Sequence, residues 1–154
     1  MEFITIKQFQ EQSPKVQNVF LDWWECDYGD LYYYNEDPLE YKDAEIINNN
    51  LECDLNGDFK YFKSIGPIPL FTEGQLRKFI EDKKECLLDI KVENLRDDYN
   101  IYAVIGWEIK AMEWGKEFGR ILFEDYIEAE DLLQLYWKVA CSVAKEEVDE
   151  ISIH

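Results

Sequence analysis

FTEGQLRKFIEDKKECLLDIKVE, residues 71 to 93, changes its apolar period part-way along, and that change decides the fold class. Thr72 and Gln75 fit a capping box, in which each side chain takes up an unpaired N–H of a first helical turn. Phe71 and Leu76 stand where a hydrophobic staple would close across the same start. Leu76, Phe79 and Ile80 recur at spacings of three and one, which predicts a helix to about Glu85 with those side chains buried. Leu87 to Glu93 then reads as a strand, with apolar and charged residues alternating from Leu88 onward. A helix that runs straight into such a strand, without a repeating βαβ pattern, points to an α+β fold.

The same two periods organise the flanks. Ile101, Ala103, Ile105, Trp107 and Ile109 alternate within a predicted strand from Asn100 to about Met112. Trp114-Gly115-Lys116 reads as a turn into a partner strand, Phe118 to Phe123, with a short helix as the competing reading. Glu130 to Val148 is a long amphipathic helix with Leu132, Leu133, Tyr136, Val139, Ala140, Val143 and Ala144 inward.

Towards the N-terminus, Ser13-Pro14 is a helix start: a capping hydroxyl, then a proline at the position where a missing N–H costs nothing. Val16, Val19, Phe20, Trp23 and Trp24 follow as one apolar stripe, and a shorter helical segment from Thr5 to about Glu11 precedes it. Tyr28-Gly29-Asp30 breaks the helix, and Leu31 to Tyr34 read as a strand by aromatic content. Asn35 to Asp43 is an acidic loop. Leu51 to Leu55, the pair Asn56-Gly57 and Asp58 to Ser64 predict a hairpin, because Asn-Gly supplies the two positive-φ residues of a tight turn. Ile65 to Pro69 reads as a stiff connector. The expectation is an α+β fold in which one antiparallel sheet of four to six strands packs with two or three helices, in a single globular domain spanning residues 1 to 154.

Composition excludes several function classes. At 154 residues with 47% hydrophobic and 16% aromatic content, the chain can bury a core and is not a disordered acidic tail. No apolar run approaches the ~20 residues of a membrane span, and MEFITIKQFQEQ lacks a secretory pattern, so no membrane role and a cytoplasmic location are expected. The single histidine is His154, which leaves no imidazole for a triad or a histidine-based zinc site. Cys26, Cys53, Cys86 and Cys141 are widely spaced and read as reduced thiols. No metal or cofactor is expected.

The formal charge of −18 repels nucleic acid and draws in basic surfaces. It is also uneven. Residues 25 to 59 hold eleven acids against Lys42 alone, giving −10, whereas residues 60 to 98 balance at eight of each.

Several catalytic patterns fail. Asp54 to Asp58 begins like a calcium loop, but its glycine is fourth instead of sixth, and the twelfth residue is Ile65. Gly115 and Gly119 lack the lysine and hydroxyl of a P-loop. Glu108 and Lys110, with Asp89, Asp97 or Asp98 upstream, can be drawn as a metal-dependent nuclease site of the two-metal or PD-(D/E)xK kind, most simply with Asp98, yet acid-x-Lys also occurs at Glu40, Asp58, Glu81, Asp82 and Asp89, and the net charge opposes a polyanionic substrate. Paired carboxylates for glycoside chemistry are not singled out by any spacing. Lys78, Lys83 and Lys84 read as the solvated face of the middle helix. The chain is read as non-enzymatic.

What remains is the acidic, aromatic segment. Glu25, Asp27, Asp30, Glu36, Asp37, Glu40 and Asp43, interleaved with Tyr28, Tyr32 and Tyr34, form a candidate partner-binding array; Glu45 continues it. Arginine-rich grooves that bind phosphates also accept carboxylates, so such an array can occupy a nucleic-acid site on a host protein. Tyrosines supply the anchors that dominate interface energetics. The opposing view is an edge strand whose acids only prevent aggregation. A second functional reading is a small-molecule or sequestering protein with an aromatic pocket lined by Tyr28, Tyr32, Trp107 and Trp114.

PLFTEGQLRKFIEDK (69 to 83), LLQLYWKVACSVAKEE (132 to 147) and an upstream VFLDWWE resemble a group of small acidic proteins from phages and prophages of Firmicutes. These motifs are mostly core and cap residues. The resemblance implies a mobile-element origin, a setting that includes small acidic proteins blocking host defence nucleases, anti-CRISPR proteins among them. The function expected is an acidic inhibitor that occupies a basic nucleic-acid-binding surface of a host defence protein.

Overall fold

The structure is a computed structural model that describes residues 2–34, 44–47, 59–95, 104–113 and 121–153. It is a mixed α+β fold whose contacts divide the chain into two compact units, Phe3–Thr72 and Glu73–His154. Among the described residues there are five helices. The strands form two separate three-stranded antiparallel sheets, in place of the single sheet of four to six strands expected.

In the first unit, α1 (Ile6–Gln10) opens with a full capping box: Thr5 accepts from the Gln8 N–H, and the Gln8 side chain accepts from the Thr5 N–H at 3.0 Å. Ser13 caps α2 (Pro14–Trp23), with Pro14 as its first residue. Val16, Val19 and Phe20 on α2 are buried as their spacing predicts, as is Trp24 just beyond the helix, while Trp23 is half-buried. Strand β1 (Leu31–Tyr33) is the centre of the first sheet, with β2 (Glu45–Ile46) on one side and β3 (Ile68–Pro69) on the other. Pro69 has no N–H to give, which suits an edge strand; the Leu70 N–H continues the pairing to Leu31 at 3.0 Å. The segment read as a stiff connector therefore carries a strand.

The hairpin expectation is corrected over its second arm. Lys60–Ser64 is a short helix, α3, and Leu51 to Asp58 lie outside the described residues. Phe62 of α3 is buried, with ring centroids 6.0 Å from Trp24 and 4.8 Å from Tyr32, both near edge-on. Phe71 lies 5.7 Å from Phe20 and 6.5 Å from Trp24, so aromatic rings form a continuous spine from Phe9 to Tyr32. Edge-to-face pairs of this kind contribute roughly 0.5–1.5 kcal/mol each beyond burial.

In the second unit, α4 (Glu73–Lys84) starts one residue after Thr72 and buries Leu76, Phe79 and Ile80. Glu85, at φ +50°, reverses the chain directly into β4 (Cys86–Leu95). β4 pairs with β5 (Val104–Glu113), and β5 with β6 (Ile121–Glu128), in an antiparallel meander with a register shift at Ala111/Met112. α5 (Leu132–Ile153) buries Leu133, Tyr136, Val139, Ala140, Val143 and Ala144, and also Leu135, Trp137 and Cys141; Leu132 is only half-buried. α4 packs on both β4 and α5.

Two of the three lysines read as a solvated face instead join α4 to α5. Lys83 donates to both carboxylate oxygens of Glu147, at 2.9 and 3.1 Å, and lies 5.9 Å from the Phe79 ring centre; Lys84 pairs with Glu146. Lys78 pairs with Asp82 along its own helix. Burial pushes the Tyr136 hydroxyl above its ordinary range, with Arg77 partly opposing it. No helix among the described residues is long and apolar enough to cross a membrane.

Candidate functional site

The turn from Trp24 to Asp30 is held from inside. Once α2 ends at Trp23, Trp24 turns extended and its indole, 2% exposed, enters the aromatic spine. A buried indole N–H needs an acceptor, and Trp24 Nε1 donates to Asp30 Oδ2 at 2.8 Å. The same oxygen accepts the Asp27 N–H at 3.1 Å, and the Asp30 N–H donates back to the Asp27 carbonyl at 3.1 Å. Gly29 sits at φ +93°, open to glycine without steric penalty, and its N–H donates to the Ile47 carbonyl at 3.0 Å. The Ile47 N–H returns to the Asp30 carbonyl at 2.9 Å.

Lys63 completes the brace. Its ammonium donates to the Leu21 and Trp24 carbonyls, at 2.6 and 2.9 Å, where the last turn of α2 leaves carbonyls without helical partners. Cys26 lies within this frame. Burial pushes its thiol up to about 11, Lys63 opposing the shift and Asp30 adding to it, so it stays protonated.

The outward side of the turn is acidic and aromatic. Glu25 and Asp27 are exposed, and Tyr28 is 48% exposed with its ring edge-on to Phe59 at 5.6 Å. Asp27 Oδ1 accepts the Tyr28 N–H at 2.8 Å, which fixes the carboxylate relative to the ring.

The ten sequence-derived site residues therefore divide. Glu25, Asp27 and Tyr28 share one braced turn, and Tyr34 is half-buried just past the end of β1. Asp30 is an internal acceptor. Tyr32 is corrected: at 5% exposed it fills the core against Phe62, because the strand's alternation turns it inward. Glu36, Asp37, Glu40 and Asp43 lie outside the described residues, and Glu45 is half-buried opposite Tyr32 in β2. Lys63 and Phe59 were missed. Both fall in the segment misread as a hairpin arm, and neither carries a local signal, since each acts on residues more than thirty positions away.

No protein-family model, curated protein or solved structure matches the chain. The remaining readings rest on geometry alone. For an aromatic pocket, Tyr32 is already packed, and Trp114 lies outside the described residues. For metal chemistry, Asp98 lies outside them too. The register sets Glu108 between Lys91 and Tyr126, and Lys110 between Asp89 and Glu124. Opposite charges in neighbouring strands are an ordinary sheet-stabilising arrangement, at about 0.2–1 kcal/mol per pair. Among the described residues no three His, Cys, Asp or Glu side chains are grouped to hold a metal ion.

Proposed function

We propose that this protein works by binding and not by catalysis, as a phage-type acidic inhibitor that sits on a basic nucleic-acid-binding surface of a host defence protein, in the manner of anti-CRISPR proteins. The observation that carries the reading is the braced turn. Glu25 and Asp27 stand exposed beside Tyr28 on a loop whose backbone is tied by Asp30, Ile47 and Lys63. Pre-ordering a loop removes part of the entropy lost on binding. Carboxylates beside a rigid aromatic anchor suit arginine-rich partners. The charge of −18 would speed encounter with such a surface.

The test is quantitative capture from a bacterial host lysate with wild type and with Glu25→Gln/Asp27→Asn, followed by association kinetics on the captured partner. The expected result is a nucleic-acid-binding partner, lost with the double variant and displaced by added DNA or RNA. Raising salt from about 50 to about 300 mM should slow association more than it speeds dissociation. Capture that ignores both carboxylates, or an association rate indifferent to salt, would overturn the proposal.

A further inference from the structure

The second unit carries a sheet edge whose hydrogen-bonding groups can be assigned from contacts at the opposite edge. Leu88 of β4 donates its N–H to Glu81 Oε1 at 3.2 Å, and its carbonyl accepts from Arg77 Nη2 at 3.0 Å. Both of its backbone groups therefore face α4, away from β5. In an antiparallel ladder successive residues aim their backbone groups at opposite edges. Leu88 pairs with Ala111, so the groups of Ala111 face β6, where its partner is Phe123. The same alternation aims Asp125 and Ile127 at β5 and leaves the N–H and C=O of Glu124, Tyr126 and Glu128 directed outward. An independent contact agrees: the Glu128 carbonyl accepts from Lys138 Nζ at 2.5 Å, as an outward-directed carbonyl would.

The two edges thus differ. α4 seals β4 at Leu88 through Arg77 and Glu81, an ion pair at 2.9 Å. Among the described residues β6 pairs with β5 alone. Its sequence, ILFEDYIE, holds three carboxylates and no basic residue. Two copies joined edge to edge would bring six carboxylates together, so the strand resists self-pairing. A strand bearing lysine or arginine at alternate positions would instead gain main-chain hydrogen bonds and opposite-charge neighbours.

We infer that the outer edge of β6 takes up an extended basic segment of a partner protein by strand addition, using the backbone groups of Glu124 and Tyr126. The inference stands on the second unit alone and holds whether or not the turn at Glu25 binds anything.

The probe is a synthetic peptide of about eight residues alternating lysine and valine, matched in length to β6. Binding is followed by fluorescence anisotropy and by amide hydrogen exchange on the full chain. Controls are a glutamate–valine peptide and a lysine–valine peptide N-methylated at alternate residues. The expected result is binding of the unmodified basic peptide, with exchange slowed at Glu124 and Tyr126. Tyr126→Pro removes an N–H that the β5 ladder does not use, so it should leave the circular dichroism spectrum unchanged and weaken binding about tenfold, the loss of one to two hydrogen bonds. Equal binding of the N-methylated peptide, or amides at 124 and 126 already protected without peptide, would overturn the inference. Concentration-dependent dimerisation abolished by Tyr126→Pro would do the same by assigning the edge to self-pairing. If Tyr126→Pro fails to fold, the N-methylated peptide decides the matter with the wild-type chain.

Discussion

Asp30 looks like one more acid in a run of acids, and the structure makes it the exception. Its Oδ2 takes the indole N–H of Trp24 at 2.8 Å, and Trp24 is 2% exposed, so removing the carboxylate takes the acceptor from a buried residue's donor. A buried unsatisfied donor costs about 1–3 kcal/mol. The Asp27 N–H, bonded to the same oxygen, is exposed and recovers most of its loss from water. Asp30→Ala should therefore destabilise the fold by about 2–3 kcal/mol. For a chain of this length, that corresponds to a melting temperature lower by about 4–12 °C. Asp30→Asn keeps a carbonyl oxygen in place and should lose only about 1 kcal/mol, the charge-assisted part of the bond. Asp27→Asn, at an exposed site, should stay within about 0.5 kcal/mol of wild type.

Urea unfolding followed by circular dichroism, with the slope checked against wild type, measures all three. A double-mutant cycle with Trp24→Phe isolates the pair, and a coupling of about 1–2 kcal/mol is expected. The reasoning fails if Asp30→Ala and Asp27→Asn are equally mild, or if Asp30→Asn is as damaging as Asp30→Ala.

Three other expectations follow from the same structure. Lys63→Met keeps the aliphatic stem but removes two bonds to carbonyls at the end of α2, so it should lower stability by about 1–3 kcal/mol in the urea assay. Glu85 holds a left-handed φ of +50° with no glycine to relieve it; Glu85→Gly should raise stability by about 1 kcal/mol in thermal melts, whereas Glu85→Ala should not. Burial raises the thiols of Cys26 and Cys141 from 9.0 to about 11 and about 12. Both then bind a proton in the folded state that the unfolded chain releases above pH 9, so their contribution is complete below pH 9 and falls as pH rises towards 11 and 12. Alkylation by iodoacetamide at pH 8 should accordingly be much slower in the native protein than in urea.

The local elements were legible in the sequence because their causes are local. Ser13-Pro14 caps and starts α2 whatever lies elsewhere, and Thr5 with Gln8 does the same for α1. The periods of three to four in α4 and α5 record which side of each helix meets a core, and the stretches read as strands on either side of residue 100 lie on β4 and β5. The acidic excess between residues 25 and 59 was likewise a matter of counting.

What only tertiary structure decided are the questions of partner. Five residues, KYFKS, fit either period, and they become helix α3 because Phe62 fills the gap between Trp24 and Tyr32 while Lys63 reaches the end of α2. Alternation said that neighbouring tyrosines of β1 face opposite ways; the aromatic spine decided that Tyr32 is the one turned inward. Charge alone could not separate Asp30 from Asp27, for in sequence both are aspartates in one turn. The difference arises because a single buried indole N–H must find an acceptor, and the fold brings it Asp30.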